Sequence, residues 1–292
     1  MLPEGIPDYL CLRPALEVFA RSEETQSQSH IKPLHRYIAL RLVLEGGFLP
    51  DEVTPHPPLR YRRVAGGSLL EFDPAAETSA EKTVIGGLRT KGIDVVVTKP
   101  DLGPVLAVSV KGTGGAFRNL TNRMEEAIGD CTNIHIMYPG LVYGLLSLIR
   151  ANRSTTPGIS GNDTCLLCEK EPPTVVMSVR RYHSVLANLT GRKFVRNDHS
   201  RYEAVGLLLV EAQGDLTGAI HDGFPPTDDL LAFRSFFRTL YECYDLRYPY
   251  VAANMAAARR AAWAERSPAL DVLQTGLGDE HPSVLGYVPR VA

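Results

Sequence analysis

The chain has 292 residues, 44% of them hydrophobic and 22% charged, with a formal net charge of −2. That length and apolar content support one large α/β domain, or one domain with a small appendage, and exclude a wholly disordered chain. Near-neutrality excludes a non-specific polyanion binder, so any nucleic-acid contact has to come from a local basic surface.

The five cysteines (Cys11, Cys131, Cys165, Cys168 and Cys243) are odd in number and irregular in spacing, unlike a disulfide framework. Pro3, Glu4, Pro7 and Asp8 interrupt the start, so no secretory signal is read there. The longest apolar run, Leu141 to Ile149, is too short to span a bilayer. The expectation is a soluble protein of a reducing compartment. Its arginine- and alanine-rich usage fits a bacterial cytoplasm.

In chain order, residues 33–46 read as a helix, with Pro33 in the first turn and Gly46-Gly47 as the stop. Residues 51–63 are proline-rich and then basic, a loop running into an edge strand. Residues 74–90 are predicted helical, opened by Pro74, with Val84, Ile85 and Leu88 as the apolar face. Gly92 to Thr98 is a β-branched strand, Lys99 to Pro104 a turn, and Val105 to Lys111 a second strand, together a hairpin. Gly112, Gly114 and Gly115 break that strand. A helix is predicted over Phe117 to Ile128, a strand over Asn133 to Tyr138, and a helix over Leu141 to Arg150. Residues 151–172 read as loop, and Thr174 to Val179 and Ala204 to Glu211 as strands. Residues 228–245 and 252–265 read as helices, with an irregular last stretch. This order implies an α/β fold, a mixed central sheet flanked by helices, with a catalytic core over about 74–215 and a helical C-terminal portion over about 226–292.

The stretch from Gly92 to Glu125 carries the chemistry. Asp94 sits inside an apolar strand, where an unpaired carboxylate is costly. Ser109 and Lys111 are two residues apart on the next strand and share a face. Across a hairpin, Asp94 and Lys111 meet at one end of the sheet, half a metal site beside a point charge for a phosphate. Magnesium takes oxygen ligands and keeps several waters, so one to three carboxylates suffice. Phosphodiester hydrolysis then needs an activated water and charge neutralisation at the phosphate.

The pattern Asp94-x14-Ser109-Val110-Lys111 resembles the core of the PD-(D/E)XK nucleases, which include most type II restriction endonucleases. The family usually has Asp or Glu where Ser109 stands. One subgroup of restriction enzymes shares the Ser-x-Lys departure and draws the missing carboxylate from the following helix. Lys111-x13-Glu125 is similar to that arrangement. The resemblance implies that Asp94 and Glu125 hold Mg²⁺ while Lys111 orients or activates the attacking water. It also implies an accessory glutamate from the preceding helix. Glu81, in phase with Val84, Ile85 and Leu88, is preferred for that role. Glu45, in phase with Ile38 and Leu42, is the rival. The literal Pro100-Asp101 is a turn, too far from Lys111.

Donors for phosphates and base edges are Arg118, Asn119, Asn122 and Arg123, and a basic stretch from Arg180 to Arg201 that includes Arg181, Arg192 and Lys193. Cys165 and Cys168 have metal-ligand spacing but no second pair. These readings converge on a type II, Mg²⁺-dependent, site-specific endonuclease of double-stranded DNA acting as a homodimer, the setting resting on the resemblance. A DNA-binding protein with a degenerate nuclease core, and a structure-specific repair or recombination nuclease, remain as alternatives.

Overall fold

The computed structural model describes residues 6–22, 29–65, 67–169, 171–196, 198–278 and 281–292. Helices α1 (Leu12–Arg21) and α2 (Lys32–Leu44) lead. Five short strands follow: β1 (Val53–Thr54), β2 (Leu59–Val64), β3 (Gly67–Phe72), β4 (Lys82–Ile85) and β5 (Thr90–Ile93). Then come β6 (Val95–Lys99), β7 (Gly103–Thr113), α3 (Leu120–Met137) and β8 (Val142–Arg150). After the short pair β9 (Leu166–Leu167) and β10 (Thr174–Val175) come α4 (Met177–Leu189), β11 (Ala204–Val210) and α5 (Phe233–Arg247). Helices α6 (Pro268–Leu277) and α7 (His281–Leu285) close the chain.

The central sheet is mixed, in the order β1-β6-β7-β8-β11. β6 pairs antiparallel with β1 and β7, whereas β8 runs parallel to both β7 and β11. The hairpins β2–β3 and β4–β5 and the pair β9–β10 stand apart from it. Alternation of side chains sorts the core into two layers. Val95, Val97, Val108, Leu146 and Leu208 join the layer containing α1, α2 and α5. Val96, Ala107, Leu145 and Leu207 join the layer containing α3 and α4. Trp263 is fully buried in the first layer and donates its indole N–H to Val43 O at 2.9 Å, fastening the C-terminal region to α2. Among the described residues, no helix is long and apolar enough to cross a membrane.

Several predicted elements change type. The predicted helix over 74–90 is instead a short 3₁₀ turn (Pro74–Ala76) and the β4–β5 hairpin. Gly86 and Gly87 make its turn, and Leu88 and Ile85 are exposed rather than inward. A Cβ on Gly87 would lie 2.2 Å from Ile136 Cγ2, so only glycine lets the turn lie against α3. The predicted strand over 133–138 belongs to α3, whose buried stripe runs through Ala127, Cys131 and Ile134. The predicted helix over 141–150 is β8, a parallel strand covered on both faces. It therefore lacks the polar alternation that marks a half-exposed strand. Only Thr174–Val175 of the 174–179 stretch is strand, with α4 following at once. Residues 252–265 hold a 3₁₀ segment (Ala253–Ala258) rather than an α-helix, and the tail predicted as irregular contains α6 and α7.

Helix α5 approaches β8 and β11 over glycines. A Cβ on Gly144 would stand 2.7 Å from Phe236 Cζ, a ring itself buried. Gly144→Val is therefore expected to destabilise the fold by about 1–3 kcal/mol through overpacking, read as a lowered urea midpoint at unchanged m-value.

Candidate active site

Asp94 lies at the bend where the chain leaves β5 and enters β6. It is 7% exposed. The paired register of β6 and β7 ends at Val95 opposite Val108. Beyond that point Asp94 Oδ2 accepts the N–H of Val110 at 2.7 Å, so a side chain satisfies a strand amide. Its Oδ1 faces His35 Nε2, 3.7 Å away on α2. That nitrogen is buried and has no hydrogen-bond partner. Glu81, in the extended segment before β4, completes a cluster. One ligand atom from each of His35, Glu81 and Asp94 lies within 4.8 Å of the others.

Burial governs the ionisation of this cluster. It pushes the Asp94 carboxyl up to about 6, against the Val110 amide and the positive charges of Lys111 and Lys91. It pushes the His35 imidazole down to about 4, against the attraction of Glu81. A neutral imidazole with a free nitrogen, beside two carboxylates, is a donor set that suits a divalent cation. The nitrogen widens the choice from Mg²⁺ toward Mn²⁺, because imidazole suits transition metals and Mg²⁺ prefers oxygen.

Lys111 lies on the same strand pair but has other direct partners. Its Nζ donates to Glu126 Oε1 at 2.7 Å and stands 3.6 Å from Asp130 Oδ2. Asp130, 1% exposed, also receives Lys91 Nζ at 2.7 Å. Arg123 joins Glu126 at 3.0 Å. Burial opposes ionisation of Glu126, but the hydrogen bonds from Lys111 and Arg123 hold its carboxyl below the usual range. Asp94 and Lys111 thus share a field without touching, one on the α2 side and the other under α3.

The remaining sequence candidates divide as follows. Glu125 is exposed, and the neighbouring Glu126 is the glutamate that meets Lys111. Ser109 is buried, its hydroxyl 2.8 Å from the Tyr143 hydroxyl, as a packing group under α3. Glu81 joins Asp94, although it sits on extended chain and not on a helix. Glu45 is engaged by Arg41 at 2.7 Å and by the Tyr241 hydroxyl, about 15 Å along α2 from His35. Asp101 lies in the β6–β7 turn with φ 64°. Arg118 and Asn119, in the 3₁₀ turn before α3, and Asn122, in its first turn, are exposed, and Arg123 is the ion-paired one. Arg180, Arg181 and Lys193 are exposed, but Arg192 is buried against Glu203 at 3.0 Å and is structural. Cys165 is buried and Cys168 half-buried, both as free thiols.

His35, Lys91, Glu126 and Asp130 were not anticipated. His35 had a signal, because it shares the helical stripe of Ile38 and Leu42 from which Glu45 was considered. Asp130 follows Glu126 by one helical turn, which places both on one face. Past Lys111, a cleft of about 460 Å³ opens between Gly112, Gly114, Asn119, Arg123 and Arg150. Compared with known proteins, the chain matches no family model, no curated protein and no solved structure.

The raised Asp94 pKa has a stability consequence in metal-free protein. An acid whose folded pKa lies above its unfolded value favours folding below the unfolded pKa, and that contribution is lost as pH rises through the folded one. Asp94→Asn keeps an oxygen for the Val110 amide and carries no charge. Denaturant unfolding in EDTA should show it more stable than the parent chain at pH 8, by up to about 3 kcal/mol. The difference should fade between pH 6 and pH 4. A constant difference over that range would remove ionised Asp94 as its source.

Proposed function

We propose that this chain is a divalent-metal-dependent endonuclease hydrolysing phosphodiester bonds of double-stranded DNA. Its proposed setting is a site-specific, restriction-type enzyme with a restriction-endonuclease-like fold, working as a homodimer. The observation that carries the reading is a buried carboxylate, Asp94, facing an imidazole nitrogen without a hydrogen-bond partner and a second carboxylate, on the strand pair that bears Lys111. Structural acids in a sheet are normally paired with a cation or several donors. Asp94 has one amide and a neutral ring.

In this reading Asp94 and Glu81 offer oxygen ligands, and His35 offers Nε2. A bound divalent ion supplies charge neutralisation at the phosphate and a more acidic water. Lys111 contributes positive charge on the phosphate side of the site, and Glu126 and Asp130 hold its amine in position. The glycine-walled cleft beyond Lys111, with Asn119, Arg123 and Arg150 on its walls, gives the DNA backbone a path of close approach. A twofold dimer matches cleavage of both strands at a twofold site.

One observation favours a second reading, a DNA-binding protein with a degenerate nuclease core. Lys111 is already neutralised by Glu126 at 2.7 Å. Incubation with a panel of unmodified genomic DNAs in Mg²⁺ or Mn²⁺ separates the two. The nuclease reading expects discrete fragments, abolished by EDTA and reduced about 10³-fold or more in Asp94→Ala and Lys111→Ala. Glu126→Gln is expected to impair cleavage, and Glu125→Gln to leave it near the parent rate. Fragments persisting undiminished in Lys111→Ala, or no cleavage with either metal, would refute the proposal.

A further inference from the structure

The opposite end of β6 borders a second cleft, of about 790 Å³. Lys99 marks that end, five residues or about 16 Å of strand from Asp94. Its walls come from the β2–β3 hairpin, the start of the β6–β7 turn, and chain around residues 256–262 and 290.

Five cationic side chains line it, against two acidic side chains. Lys99 is engaged by Glu52 at 2.8 Å, and Arg260 by Asp245 at 2.6 Å. Both acids are thereby matched. Arg63, Arg259 and Arg290 line the same cleft and make no ion pair among the described residues. The Arg259 guanidinium stacks over the Tyr250 ring, 5.6 Å from its centroid. Burial, then the neighbouring Arg260, push the Arg290 guanidinium below its usual value against the attraction of Asp245, with Arg259 adding a smaller push. Three unmatched positive charges around one concavity repel each other and concentrate a positive field there. Guanidinium forks match phosphate oxygens in pairs, so several arginines in a cleft favour a ligand with more than one phosphate.

We propose that this cleft is a binding site for the oligophosphate group of a small ligand. A bounded concavity of this size accommodates a small molecule. Tyr250, 44% accessible and carrying Arg259 over its ring, gives the cleft an aromatic group beside which a nucleobase would pack. The inference stands apart from the nuclease reading, since none of these residues belongs to the Asp94 cluster.

Isothermal titration of the full chain with inorganic tripolyphosphate, and separately with ATP, in metal-free buffer at low salt tests it. One saturable site is expected, weakened about tenfold or more by the double substitution Arg259→Gln/Arg290→Gln. Both arginines lie outside secondary structure, and circular dichroism with a thermal midpoint checks that the variant folds. Arg62→Gln, an exposed arginine on β2 outside the cleft, should bind like the parent chain, as should Asp94→Ala. Tighter binding of ATP assigns a nucleotide as the carrier, and equal affinity assigns free polyphosphate. No saturable binding, undiminished binding by the double variant, or displacement of tripolyphosphate by a short DNA duplex would overturn the proposal.

Discussion

A carboxylate taken out of water at a strand end is the constraint on which the candidate site depends. At Asp94 the chain turns from the β4–β5 hairpin into the central sheet, just past the last residue pair of β6 with β7. The Val110 amide beyond that point needs an acceptor, and Asp94 Oδ2 provides it. One amide hydrogen bond to a charged group contributes about 1.5–3 kcal/mol, whereas burying an unpaired ion costs several. The shortfall is left at Oδ1, which faces a neutral imidazole with an unused nitrogen. A positive charge placed among these atoms would remove it.

The charges near β7 fall into two groups. On one side Asp94, Glu81 and His35 lie together, with Lys32 and Arg36 on the wall of the same small pocket. On the other, Lys91, Lys111 and Arg123 are matched by Glu126 and Asp130. Asp130 opposes and the two lysines favour the ionisation of Asp94, so the groups are coupled through space. The matched group holds the Lys111 amine in position at an entropy cost already met in the fold, as the proposed nuclease would require of a positive charge beside a phosphate. It also dilutes that charge. In the proposed enzyme positioning outweighs dilution, and Glu126, the single hydrogen-bonded carboxylate on Lys111, supplies it.

Much of this was legible in the sequence, and the failures have physical causes. The β6–β7 hairpin was readable because Pro100 and Gly103 punctuate it and its strands are rich in β-branched residues. Asp94 and Lys111 stood out as charges in apolar strands. β8 was misread because a strand buried on both faces shows no period of two, and over ten residues an apolar run fits a helix as well. The 74–90 stretch was misread because Val84, Ile85 and Leu88 fall at helical spacing, although Gly86-Gly87 between them is a hairpin turn signal. That error moved Glu81 onto a helix without moving it away from Asp94, since the hairpin leads directly into β6. The glutamate on α3 that meets Lys111 is Glu126, while Glu125, expected as a metal ligand, is exposed. Adjacent residues on a helix point about 100° apart, so spacing from Lys111 alone does not choose between Glu125 and Glu126. His35 was hidden because α2 is buried nearly all round, and its stripe gave no reason to prefer one polar end over the other.

The mixed sheet explains why the acceptor cluster and the lysines meet where they do. β7 and β8 run parallel, so their carboxyl ends, at Thr113 and Arg150, lie at the same edge. β6 is antiparallel to β7, so its beginning, at Asp94, comes to that edge too. Chain leaving parallel strands splays apart to reach the next helix, and the opening it creates is where ligands of open α/β sheets bind. Here the opening is the glycine-walled cleft with Arg123 and Arg150. The other edge receives the end of β6, where Lys99 is buried in its pair with Glu52. Breaking that pair would leave a charge stranded in the core, so that edge is tied to the fold in a way the Asp94 edge is not. The two edges therefore differ in kind. At one, a buried acid lacks its full complement of partners. At the other, the buried charges are complete, and the unmatched cations stand outside them.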